Sequence, residues 1–137
     1  MKHLLSESAS WSTTSEFVTS EGHVSEATGR SAITIQEKEI INTSWVQLGK
    51  VKRENNYKII SISDTKYHYE SINPELGNQI GVFIADRNIL YSKFKIEDSS
   101  LNGFEIIRRE GDTCFAYGAL YDNDNPINTW TAIMVKE

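Results

Sequence analysis

Short runs of β-branched and aromatic residues, cut by clusters of Gly, Asn and Asp about every dozen residues, extend along almost the whole chain. That spacing is the pattern of an all-β sandwich or barrel, and helical periodicity is nearly absent. Strands are expected at residues 11–19, 23–28 and 31–36 (Gly29 forming a kink or bulge between the last two), then 39–48, 57–63, 66–72, 79–85, 88–96, 104–110, 113–121 and 127–136. Turns are expected at Glu21-Gly22, Glu37-Lys38, Asp64-Thr65, Asn73-Pro74-Glu75-Leu76-Gly77, Asp86-Arg87, Gly111-Asp112 and Asp122 to Pro126, with polar loops at 49–56 and 98–103.

Such short connections make sequence neighbours antiparallel neighbours in space. A twisting meander leaves two bare strand edges unless it closes on itself. A Greek-key sandwich needs a long crossover, and no loop here is long enough. The expected fold is therefore all-β, an antiparallel up-and-down barrel of about eight to ten strands. The chain has 137 residues, about one domain's worth, and no composition shift marks a second domain. Residues 1–9 are expected to be flexible or to form a short cap, with fraying favoured.

The charge balance of 14 basic against 19 acidic residues gives −5, and the densest basic run, Lys50 to Arg53, is followed at once by a Glu. Nucleic-acid binding is not expected from such a chain. No stretch approaches the roughly 20 apolar residues of a membrane helix. The opening Met1 to Ser8 has only Leu4-Leu5 as an apolar part, too short for a secretory signal, and Cys114 is the lone cysteine. A cytoplasmic location follows as the expectation, and a homodimer is left open.

In a barrel, alternate residues of each strand point inward. Lys93 and Lys95 should face water, which sends Leu90, Ser92, Phe94 and Ile96 inside. The strand at 79–85 is apolar on both faces, so its parity is unreadable. With almost no helix to fill the centre, a pocket for a small apolar or amphipathic molecule is the expected site.

Three features carry a family resemblance: Trp11 within Ser10-Trp11-Ser12, the successive hairpins, and the terminal strand Asn128-Thr129-Trp130-Thr131-Ala132. By overall pattern, from about Trp11 to the end, the chain resembles the calycin-type barrels, the lipocalin and fatty-acid-binding superfamily. The resemblance implies a barrel with an interior ligand site. It does not imply a fatty acid, because the last strand lacks the Arg that holds a carboxylate in fatty-acid-binding proteins. Ala9 also stands where lipocalins usually have Gly.

The residues expected to line the site are Trp45, Tyr67, Tyr69, Phe83, Phe94, Arg108, Tyr117 and Trp130. Arg108 and Arg109 are adjacent, so alternation sends one to each face, and an inward Arg would clamp a carboxylate or phosphate. In Tyr67-His68-Tyr69-Glu70 either the tyrosines or the His68/Glu70 pair face the lumen; outward His and Glu are favoured on composition. Inward, the pair would be a candidate acid–base couple. His3, His23 and His68 show no metal-ligand spacing, so neither metal nor cofactor is expected. Cys114 reads as a buried, inert thiol. The leading expectation is a small-molecule carrier. The alternatives are a calycin-type enzyme using Tyr69, Glu70 or Arg108, and a filled barrel whose outer face, with Tyr91 or Tyr121, binds another protein.

Overall fold

A computed structural model describes residues 1–73 and 77–137. Ten strands are described: β1 (Ala9–Thr19), β2 (Val24–Ile35), β3 (Glu39–Leu48), β4 (Val51–Ser61), β5 (Lys66–Asn73), β6 (Gly77–Asp86), β7 (Ile89–Ile96), β8 (Leu101–Glu110), β9 (Thr113–Asp122) and β10 (Asn125–Lys136). Each pairs antiparallel with its sequence neighbours, and β1 pairs with β10 to close the barrel. The fold class is the one expected from the turn spacing. The expected turn at 73–77 falls partly on Pro74 to Leu76, which lie outside the described residues.

The strand boundaries differ from expectation in three informative places. β2 runs unbroken through Gly29, which pairs with Thr13 and Val46. A Cβ there would collide with the Trp45 carbonyl, so this glycine permits close strand approach and makes no kink. The expected loop at 49–56 is mostly β4, because Leu48 and Val51 pair across a tight turn at Gly49, whose φ is +62°. Its Lys52 to Asn56 run is polar because it lies near a wet rim. Residues 101–103, also expected in a loop, extend β8.

Alternation splits the wall cleanly. Trp11 is fully buried, and the register carries its inward parity to Ser31 and then Ser44 on one side and to Lys136 and Cys114 on the other. At one end the inward residues Ile33, Ile40, Ile59, Leu90, Ile107, Cys114 and Met134 form a dry core around Trp11. Leu4 and Leu5, in a short 3-10 turn spanning Leu4–Ser6, are buried in the same cluster.

Arg109 ties that turn down. Its guanidinium lies 5.0 Å from the Trp11 ring and donates to the Gly111 carbonyl (2.8 Å), the His3 carbonyl (3.3 Å) and Glu7 Oε1 (2.7 Å). Lys136 and Lys2 add donors to the same carboxylate at 2.8 and 2.9 Å. Charge-assisted bonds are the strong ones, and of these partners Arg109 is the one buried from water while Lys2 is exposed. Replacing Arg109 with Ala strips Glu7 of its buried partner, and denaturant titration should show a loss of about 3 kcal/mol. Arg108→Ala, on the wet face, should cost under about 0.5 kcal/mol.

Two titratable groups make this cap acid-sensitive. Hydrogen bonds from Lys136, Arg109 and Lys2 hold the Glu7 carboxyl well below its ordinary 4.5. Burial, with the nearby Arg109 charge, holds His3 below its ordinary 6.5, and its Nδ1 accepts from the Leu5 amide. A group with a depressed folded-state pKa contributes stability above its unfolded value and loses it as pH falls through the folded one. Protection of the Leu4 to Glu7 amides, corrected for the intrinsic exchange rate at each pH, should therefore fall in two stages, first from about pH 6.5 through His3, then from about 4.5 through Glu7. Glu7→Gln should remove the second stage only.

Candidate ligand site

Away from the cap, the inward surface changes character. Thr13, Ser15, Ser31, Asn42, Ser44, Asn55, Gln79 and Asn128 face the lumen among Phe17, Tyr57, Phe94, Leu120 and Trp130, and all of these are only partly buried. These partly exposed side chains lie toward the Thr19, Leu48, Val51 and Leu101 ends of the strands, while Ser71, Ser92 and Ile96, inward in the same half, are buried.

Three aromatic rings are seated on glycines of neighbouring strands. Trp130 lies over Gly118, Tyr69 over Gly81 and Phe94 over Gly103, each ring occupying the place a Cβ would take. A glycine opposite a large ring lets the ring lie close against the neighbouring strand. Tyr69 also stacks on Phe83 with centroids 4.6 Å apart and meets Tyr57 edge-on at 5.8 Å. Its hydroxyl bonds to Ser92 Oγ (3.1 Å) and accepts from Gln79 Nε2 (3.3 Å).

Glu105 stands in this wall, register-paired with Ser92 and Gly118. The Trp130 Nε1–H donates to its Oε2 at 2.7 Å. Burial raises the Glu105 pKa, and the Trp130 bond opposes that rise. Burial is also the main cause raising the phenols of Tyr57 and Tyr69, with the Glu105 charge contributing to both. These three groups face one another across the lumen.

The sequence-expected residues separate into two sets. Tyr69, Phe83, Phe94 and Trp130 point inward in or beside this more polar half, while Tyr67 points inward at the capped end, edge-on to His3 at 6.1 Å. Three placements are corrected. Trp45 faces outward between Arg30 and Glu54, with the Lys52 ammonium 4.7 Å from its ring, because the lumen takes its polar neighbours Asn42 and Ser44. Tyr117 faces outward and is 46% exposed, because the small residues Ala116 and Gly118 are the inward ones that make room for Trp130. Arg108 lies outside over Phe115 at 5.0 Å and pairs with Glu110, while its neighbour Arg109 is the inward arginine, engaged by the cap. His68 and Glu70 face outward, so with Arg108 they form no catalytic set in the lumen. Cys114 is buried, its thiol pushed up to about 11, chiefly by burial.

Two concavities open on the outer wall, the second reaching Tyr69, Gly81 and Phe94 between the strands. One runs past Glu16, Glu26, Thr28 and Thr131; the other past Ile60, Ile80 and Val82, ringed by Lys58, His68, Glu70, Lys93 and Lys95. No helix is long and apolar enough to cross a membrane among the described residues.

The seating of Trp130 is open to test. Gly118→Val puts side-chain atoms where the indole lies, so the ring must lift and leave Glu105. Overpacking of this kind should cost about 1–3 kcal/mol by denaturant titration and shift the tryptophan emission maximum.

No family model and no curated protein matches the chain. Solved structures do. Rv2717c from M. tuberculosis superposes with a TM-score of 0.75 at 9% identity, covering 94% of this chain and 91% of that one. The S-type phycobiliprotein lyase CPES from Guillardia theta superposes with a TM-score of 0.70, also at 9% identity, over 95% of this chain and 88% of its own. At that identity the likeness is one of fold.

Proposed function

We propose that this protein binds or carries a small amphipathic molecule inside a calycin-like barrel, in the half away from the N-terminal cap. The observation that carries the reading is the unequal filling of the barrel. Trp11, Leu90 and Cys114 have no accessible surface at one end, while Phe17, Tyr57, Phe94 and Trp130 retain some toward the other. Aromatic walls with a few fixed polar groups are what a concave small-molecule site requires. The fold likeness to a protein named a phycobiliprotein lyase is compatible with this reading.

The site residues proposed are Tyr69, Phe94 and Trp130, supported by Tyr57, Phe83 and Glu105. Titration with N-phenyl-1-naphthylamine, an uncharged dye that brightens in apolar surroundings, should saturate. Phe94→Ala and Trp130→Phe should each weaken that binding by about tenfold, whereas Trp45→Phe and Tyr117→Ala, on the outer wall, should leave it within about twofold. Equal sensitivity to the outer-wall changes would place the dye outside and defeat the reading.

A further inference from the structure

The open half of the lumen is one-sided in its charge. Glu105 is the single ionisable acid or base pointing into it below the rim among the described residues; the other groups there are phenols, hydroxyls and amides. Of the inward cations, Arg109 and Lys136 sit at the capped end and both bond to Glu7. Arg53 and Asp122, opposite in sign, stand exposed at the open rim.

Glu105 is also under-bonded. A carboxylate offers about four lone-pair sites, and Trp130 fills one of them. A partly buried carboxylate with one donor and no cation carries a desolvation cost that a positive partner would offset. The surrounding wall shows the same imbalance: Asn42 Oδ1, Ser71 Oγ and Asn128 Oδ1 are buried without a hydrogen-bond partner among the described residues. All three side chains belong to the inward face. Two of the three are amide oxygens that can only accept and the third is a hydroxyl that does both, while the unpartnered donor, Trp11 Nε1, lies at the capped end.

Beside the acid stand flat apolar surfaces. The Trp130, Tyr69 and Phe94 rings line the same space, and the three glycines beneath them hold the rings against the wall. A ring face attracts positive charge, so these surfaces and the carboxylate favour the same kind of guest.

We propose that the lumen selects an organic cation bearing N–H donors on a flat apolar body, and that Glu105 receives its charged end. The inference rests on the lumen being the binding site. It specifies what kind of molecule enters, and it excludes carboxylates and phosphates, which would meet the Glu105 charge with no cation to offset it.

Three probes that share a body and differ in the head decide the matter: 2-naphthylmethylammonium, 2-naphthylmethanol and 2-naphthoate, each titrated against the quenching of tryptophan emission at neutral pH. The ammonium should bind at least about tenfold more tightly than the carboxylate, with the alcohol between them. Glu105→Gln keeps the shape and still accepts from Trp130; it should weaken the ammonium by about tenfold while holding the alcohol within about twofold. Carboxylate binding equal to or tighter than ammonium binding in the unaltered protein overturns the inference and leaves the lumen site standing. So does ammonium binding that Glu105→Gln leaves unchanged. Saturation by none of the three overturns the lumen reading, and this inference with it.

Discussion

The pairing of β1 with β10 fixes everything else in this molecule. It satisfies the last two rows of backbone donors and acceptors and turns a meander with two bare edges into a wall with none. Once the wall is closed, parity ceases to be a local choice. Trp11 is buried, so Lys136 beside it is inward, and so in turn are Cys114, Arg109 and Glu105. A one-residue slip at the seam would reverse every side chain on a strand. The positions of the acid and of the aromatic rings are consequences of that register.

Within the closed wall, the two halves are built from different residues. The capped half is filled by aliphatic side chains, Trp11 and the two leucines of the N-terminal turn, with Arg109 and Glu7 locking the turn in place. The other half uses serine, threonine and asparagine, and glycines that let large rings lie close against the neighbouring strands. The dry core around Trp11 and the more polar inward surface thus lie at opposite ends of the barrel.

The fold could be read from the chain because its turns are explicit: Asp-Arg, Gly-Asp and Glu-Gly pairs punctuate the strands at regular intervals, and short loops permit only a meander. Much of the site could not. Strand β7 announces its parity through Lys93 and Lys95, and Phe94 between them faces inward. In β8, Ile106-Ile107 and Arg108-Arg109 put matching residue types on both faces, so nothing local distinguishes Arg109 from Arg108 or marks Glu105 as inward. Trp45 and Tyr117 misled for a related reason. Placing the largest aromatic rings inside presumes an oily interior, whereas this lumen takes Asn42, Ser44, Ala116 and Gly118 and leaves the bulkier neighbours outside. Tyr57 carries no local mark of its role, because the polar stretch 51–56 before it, which is the rim end of β4, reads as a loop.

Sealing one end has a kinetic corollary. Under the proposed binding mode, a barrel capped at one end would exchange its guest by one route, and a guest would have to depart before a successor could arrive. Replacement would then proceed at the rate of departure, however concentrated the competitor, and a macromolecule collecting the guest would have to approach the end opposite the cap. The cap is remote from that traffic. Its role in exchange would be indirect, through the rigidity it lends to the far wall.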